Sequence, residues 1–208
     1  MLNTMTSNKK EAEKESQNIK ARGGAGVLMF KNSYLVVTSC YDNEAQAQSV
    51  CQSLSTEEEN FVVEEEKISI DLKPFSKEEK EILLSHLTFF ETNIIEIYNL
   101  SNSLDQNNAS SILANLKLKS IKLEADSITN SLIKSDERFE GVKKAFLSFE
   151  SALEYGSEQS HLNSAIVPYS SVLREIIIHS VISFCEINKN NWILLSCFLC
   201  LLLFENVF

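Results

Sequence analysis

Apolar residues recur at alternating steps of four and three through the second half of the chain. One run extends from Leu83 to Leu104, and a longer run extends from Ala114 to Leu153. This spacing keeps one stripe of side chains on one face of a helix, and a repeat sustained over several heptads is typical of a coiled coil. The pattern therefore predicts long, paired helices between residues 76 and 188.

Capping and turn residues predict where the first of these helices begins and ends. Ser76 and Glu79 have the spacing of a capping box, in which each side chain satisfies a backbone amide at the start of the helix. Residues 105–108 are Asp-Gln-Asn-Asn, which form helices poorly and are common in turns. The first helix is therefore expected to begin at Ser76 and to end near Asp105, where the chain reverses.

The second helix has two interpretations. If it is continuous from Ser110 to Tyr155, its length is about 70 Å. Gly141 destabilises a helix by about 1 kcal/mol relative to alanine, so a break between Asp136 and Gly141 would instead give a compact antiparallel bundle. Residues 156–158 (Gly-Ser-Glu) are expected to end this helix in a cap and turn, and Pro168 to kink the following helix or to start a new one.

Shorter elements are predicted before residue 76. Residues 1–22 are polar and lack the apolar area that would offset the entropy of ordering, so they predict a flexible tail or a frayed helix. Residues 27–30 and 34–37 predict two strands around a turn. A short helix is expected at residues 42–53 and extended chain at residues 61–72.

Together these elements predict a mainly α fold, with a long antiparallel helical hairpin, coiled coil or helical bundle preceded by a small α+β head. Only 5 glycines and 2 prolines in 208 residues favour long helices over turn-rich sheets. The predicted segments are a flexible polar tail at 1–22, the head at 23–75, the heptad-patterned helices at 76–188 and an apolar C-terminal segment at 189–208.

Acidic residues dominate the charge of the chain, whose formal net charge is -10. Between residues 42 and 81 there are twelve acidic residues and four lysines. A protein that binds nucleic acid needs a basic surface to release phosphate counterions, so nucleic acid is not expected as a partner. The acidic run predicts a solvated surface of the head, with a docking site for a basic partner as the alternative.

An uncharged stretch of thirteen residues extends from Trp192 to Phe204. A helix that spans a bilayer needs about 20 apolar residues, so this stretch is too short to cross a membrane. Three interpretations stay open: a short membrane anchor or interfacial helix, a buried closing helix, and a terminus that differs from the parent fold because the chain is a variant product. In the first case, membrane contact would involve Trp192, Phe198, Leu201 and Phe204.

Residue types that carry chemistry are scattered along the chain. His86, His161 and His179 do not share helical spacing with a carboxylate pair or a cysteine. Cys197 and Cys200 lack a second pair of metal ligands. We therefore expect no enzymatic activity, no cofactor and no metal site. The odd number of cysteines, five, and the polar N-terminus predict a reducing, cytoplasmic location.

The favoured hypothesis is a non-catalytic protein–protein interaction subunit, a coiled-coil scaffold or adaptor of a cytosolic multi-subunit complex. Its exposed helical seam would dock helices of protein partners in a homo- or hetero-oligomer. The alternative is a membrane-associated adaptor on the cytosolic face of a membrane, held by residues 192–208. The seam residues expected to contact a partner are Leu83, Leu87, Phe90, Ile94, Ile97, Leu118, Ile121, Ile128, Leu132, Phe139, Phe146, Phe149 and Leu153.

Overall fold

Helices make up most of the chain that the structure describes. The computed structural model describes residues 7–30, 33–41, 44–54, 66–68, 74–133, 137–160, 167–186 and 195–197. The helices are α1 (Lys9–Ala21), α2 (Glu44–Leu54), α3 (Lys77–Asp105), α4 (Ser111–Ile133), α5 (Glu140–Gln159) and α6 (Tyr169–Glu186). The strands are β1 (Val27–Phe30), β2 (Tyr34–Val37), β3 (Glu66–Ile68) and β4 (Leu195–Cys197). The fold is mainly α with a small α+β head, as the sequence predicts.

The N-terminal residues form helix α1, so the prediction of a flexible polar tail is wrong for residues 9–21. The Asn8 side chain caps the helix by accepting a backbone amide hydrogen bond. Ala12 and Ile19 are buried and belong to a small apolar cluster with Val36 of β2. The polar composition of α1 concealed this narrow buried face. The first six residues lie outside the described chain.

Strands β1 and β2 form the predicted hairpin, in an antiparallel register that places Val27 opposite Val37. Leu35 and Val37 belong to the main core, whereas Val36 packs with α1. The hairpin therefore lies between α1 and the main helical body. Helix α2 matches the short helix expected at residues 42–53.

Helix α3 begins and ends where the local sequence predicts. The Glu79 amide donates to Ser76 Oγ at 3.2 Å, and the Ser76 amide donates to Glu79 Oε2 at 2.7 Å, which completes the capping box. The helix ends at Asp105, and Asn107 takes a φ of 57° in the chain reversal. Asparagine adopts this left-handed conformation more readily than most residues. Local residues are therefore sufficient to define both ends of α3.

The second long helix is broken, which confirms the compact arrangement and rules out one helix from Ser110 to Tyr155. Helix α4 ends at Ile133, a 3-10 turn covers Glu137–Phe139, and α5 begins at Glu140. The break lies on the N-terminal side of Gly141, within the stretch where the sequence predicts it.

Contacts with the start of α3 hold this 3-10 turn in place. Arg138 Nη2 donates to Glu79 Oε1 at 2.8 Å, and Arg138 Nη1 donates to the Pro74 carbonyl oxygen. The rings of Phe75 and Phe139 meet edge to face, with their centroids 4.8 Å apart. The break between α4 and α5 is therefore fixed by tertiary contacts as well as by local sequence.

Helices α3 to α6 form a four-helix bundle. α4 packs on α5, α5 on α6 and α6 on α3, while α3 and α4 share far fewer contacts. The bundle is therefore least tightly packed between α3 and α4. The largest fully buried side chains come from all four helices: Leu83, Ile97, Leu118, Ile121, Phe146, Phe149, Leu153, Leu173, Ile176 and Ile178.

Helix α5 continues through residues 156–158 to Gln159, so the cap and turn predicted at these residues are wrong, although the helix ends directly after them. Gly156 is buried, and a Cβ atom there would lie 2.1 Å from Ile176 Cδ1 of α6. The glycine therefore permits the close approach of α5 and α6, and its carbonyl accepts a hydrogen bond from the Tyr169 hydroxyl at 2.9 Å. Helix α6 begins directly after Pro168, so the second of the two outcomes expected at this proline, a new helix rather than a kink, is confirmed.

A second strand pair joins β3 and β4, with Glu66 opposite Cys197. Strand β3 lies within the extended chain expected at residues 61–72, and β4 shows that residues 195–197 are not helical. The remainder of both segments lies outside the described residues. The three interpretations of the apolar C-terminus therefore stay predictions for that part.

Candidate functional site

The apolar seam that was expected to dock a partner lies inside the bundle. Its members are buried in one continuous core, except for Ile128, which is partly buried. Phe90 packs edge to face against Phe146 and Phe149, with ring centroids 6.5 and 5.1 Å apart. Because α4 and α5 fold back on each other, the chain covers this seam itself. The expectation of an exposed seam is therefore wrong for Leu83, Leu87, Phe90, Ile94, Ile97, Leu118, Ile121, Ile128, Leu132, Phe139, Phe146, Phe149 and Leu153.

A second apolar stripe runs along the outward side of α4. Ile112, Leu116 and Leu123 follow steps of four and seven residues, so they share one helix face. These residues are 73%, 61% and 71% exposed, and the neighbouring Leu113 is exposed as well. The opposite face of the same helix lines the core. These four exposed residues are termed the α4 outer stripe, and they are the candidate interaction site.

Three lysines and no acidic residue accompany the stripe between residues 112 and 123. Lys117 pairs with Glu96 of α3 at 2.8 Å, and Lys122 pairs with Asp126 at 3.4 Å. Lys119 is exposed and makes no hydrogen bond or ion pair with any described residue. The stripe therefore has an uncompensated positive charge near its centre.

Two carboxylates come together where α4 packs on α5. Burial and the charge of Asp126 raise the pKa of Glu150, and the nearby Lys122 opposes this shift. Within the described residues, no group of three or more histidine, cysteine, aspartate or glutamate side chains could hold a metal ion. The carboxylate pair is therefore interpreted as a repulsive contact between the two helices.

A cleft of about 410 Å³ lies between α5 and α6, with Tyr155, Glu175 and His179 among its lining residues. Lys20 of α1 approaches Glu175 Oε1 to 2.7 Å, and His179 Nε2 lies 3.7 Å from the same oxygen. Burial acts to raise the pKa of Glu175, but hydrogen bonds with His179 and Lys20 lower it overall. The ionised carboxylate therefore links α1 to the bundle.

The other residues singled out from the sequence do not form a site in the described chain. His86 is half-buried on α3, where burial lowers its pKa, and its ring centroid lies 6.0 Å from that of Phe146. Cys197 belongs to β4, whereas Cys200 and His161 lie outside the described residues.

The residues expected to contact a membrane also lie outside the described chain. They are Trp192, Phe198, Leu201 and Phe204. Among the helices of the described residues, none combines the length and the apolar character that crossing a bilayer requires. The structure therefore leaves the membrane hypothesis as a prediction from sequence.

The α4 outer stripe was not predicted from the sequence, although a signal for it was present. Between residues 112 and 123 the inward Leu118 and Ile121 alternate with the outward Leu116 and Leu123. A helix that is apolar on both sides of its core seam indicates a second contact surface. The stronger repeat of the inward seam obscured this outward stripe.

Comparison with known proteins gives no relative: no family model, curated protein or solved structure matches this chain. The function of this chain is therefore inferred from its own exposed side chains and charges.

Proposed function

We propose that this protein is a non-catalytic protein–protein interaction subunit, a helical-bundle scaffold or adaptor, and that the α4 outer stripe is its docking surface. The stripe supports this because exposed apolar side chains that share one helix face are unfavourable in water and commonly mark interaction sites. The core beneath α4 is complete without these residues, so packing within the described chain does not explain them.

This docking surface differs from the one expected from sequence. A partner would add to the outside of the bundle rather than enter its core. Glu96 of α3 pairs with Lys117 beside the stripe, and Ile95 is also exposed on α3. Among the described residues, α3 and α4 make the weakest contact of the bundle, which leaves this side the least covered by them.

We infer a cytoplasmic location for this role. Five cysteines, an odd number, do not form a complete set of disulfides and are typical of a reducing compartment. Cys40 is buried in the core, where a thiol behaves as a small apolar group.

The size of the native assembly tests the proposed function. The tagged full chain would be sedimented in an extract of the cell from which it comes, beside a Leu116→Asp/Leu123→Asp variant. We expect the unmodified chain to sediment well above its own mass of 23.5 kDa and the variant to lose this complex. Both leucines are exposed, so the variant should retain its fold, which circular dichroism would verify.

The matched control is Leu147→Asp, at an exposed leucine on α5 outside the stripe. It should sediment like the unmodified chain. The proposal is wrong if the unmodified chain sediments as a monomer, or if the double variant keeps the complex.

A further inference from the structure

We propose that the α4 outer stripe binds an acidic amphipathic helix of another protein, and that a carboxylate of this helix pairs with Lys119. The inference rests on the proposed function and identifies the chemistry of the partner. It is supported by the spacing of the stripe, by its charge, and by the surfaces on either side of it.

The spacing of the stripe matches a helix as its occupant. Ile112, Leu116, Lys119 and Leu123 follow steps of four, three and four, which is the repeat that one helix presents to another. A partner helix with apolar residues at the same spacing would bury the three apolar side chains in a single row.

The charge of the stripe favours an acidic partner. Docking would remove water from Lys119, and an ammonium group loses solvation energy unless an opposite charge replaces the water. Lys117 and Lys122 already have carboxylate partners within the chain, at 2.8 and 3.4 Å. The partner therefore has to supply the carboxylate for Lys119.

A second copy of this chain fits the stripe less well. Pairing of α4 with its own copy would bring a second lysine-bearing stripe to the contact instead of a carboxylate.

An anionic membrane also fits the stripe less well. The apolar surface is a narrow row on one helix, and acidic residues flank it on both neighbouring helices. Glu96 of α3 pairs with Lys117, and Glu154 of α5 is close enough to Lys122 to affect its pKa. Two of the three lysines already have carboxylate partners within the chain, which leaves little positive charge to hold an anionic bilayer.

Two synthetic helical peptides test the inference on the full chain. Both peptides have about three heptads with leucine at the core positions. The flanking positions are glutamate in the glutamate peptide and lysine in the lysine peptide. We expect the glutamate peptide to bind about three-fold more tightly than the lysine peptide, the size of effect expected from one exposed ion pair. High salt should remove this difference.

Two variants separate failure of this inference from failure of the proposed function. Lys119→Glu should reverse the preference between the peptides, and Leu116→Asp should abolish binding of both, while Leu147→Asp binds like the unmodified chain. If Leu116→Asp removes binding but Lys119→Glu does not change the preference for the glutamate peptide, the inference is wrong and the proposed function stands. If Leu116→Asp binds both peptides normally, the proposed function fails as well.

Vesicles that contain phosphatidylserine provide the third arm of the test. The inference predicts that the full chain does not cosediment with them through the stripe. Cosedimentation that Leu116→Asp abolishes would overturn the acidic-helix partner in favour of an anionic bilayer.

Discussion

Arg174 of α6 connects three segments that are distant in sequence. Its guanidinium donates to the Gly23 carbonyl at 2.6 Å, to Asn102 Oδ1 at 3.0 Å and to Asp105 Oδ2 at 2.6 Å. The side chain is only 13% exposed, so these bonds are largely shielded from water. Arg174 thus holds the glycine-rich turn after α1 and the end of α3 against α6.

Replacing Arg174 should destabilise the protein strongly. Arg174→Ala removes charged hydrogen bonds and leaves the Gly23 carbonyl without its donor, so the free energy of unfolding should fall by about 2 to 3 kcal/mol. Arg174→Lys should lower the free energy of unfolding by less, because lysine keeps the positive charge. It should still destabilise the protein, because lysine lacks the forked geometry of arginine. Urea unfolding followed by circular dichroism measures both.

The control for this comparison is Lys144→Ala, at a lysine on α5 whose side chain is 70% exposed. Its ion pair with Glu140 is at the surface, so the loss in the free energy of unfolding should stay below about 1 kcal/mol. Equal losses at Arg174 and Lys144 would contradict the role assigned to Arg174.

Gly156 and Gly141 should respond oppositely to alanine. At Gly156 the added Cβ would collide with Ile176 of α6, so Gly156→Ala should lower the free energy of unfolding by about 1 to 3 kcal/mol. Gly141 is half-buried in the first turn of α5 and has no positive φ. Gly141→Ala should therefore raise the free energy of unfolding by about 0.5 to 1 kcal/mol. Thermal unfolding of the pair checks this, and a shift of the same sign in both variants would refute it.

Helices α4 and α5 meet at a contact between two acidic side chains. Burial and Asp126 raise the pKa of Glu150, so the folded chain binds its proton more tightly than the unfolded chain does. Because the unfolded chain releases this proton at a lower pH than the folded chain, the free energy of unfolding falls as the pH rises above the ordinary pKa of 4.5. The contact is thus less favourable at neutral pH than in mild acid.

Glu150→Gln tests this contact, because glutamine stays neutral at every pH. The variant should be more stable than the unmodified chain at pH 7, by roughly 0.5 kcal/mol, and this advantage should shrink toward pH 4. Glu158→Gln, at an exposed position on the same helix, is the control and should show no such gain. A pH-independent effect of Glu150→Gln would contradict the raised pKa.

The ends of the elements show which parts of the fold a sequence can disclose. The Ser76–Glu79 capping box and the hairpin at 27–37 depend on neighbouring residues, and both were predicted correctly. The close approach of α5 to α6 at Gly156 was missed because it involves Ile176, twenty residues away. Arg174 was missed for the same reason, since its partners are 69 to 151 residues distant.

At the scale of the whole molecule, the candidate site also depends on tertiary contacts that the sequence does not disclose. The heptad repeat identified the apolar residues of α3 to α5 correctly, but the repeat does not say whether a partner or the chain itself covers them. The break between α4 and α5 decides this, because the two helices fold back and bury the seam within the bundle. The α4 outer stripe stays exposed on the opposite face of α4.

Site-specific photo-crosslinking tests the central claim most directly, namely that the outward face of α4 is where this protein meets its partner. A photoreactive amino acid would replace Leu116 in one full-length variant and Leu147 in the other, each expressed in the cell from which the protein comes. We expect a discrete protein adduct from position 116 and none from position 147. No adduct at position 116, or the same adduct from both positions, would contradict the account.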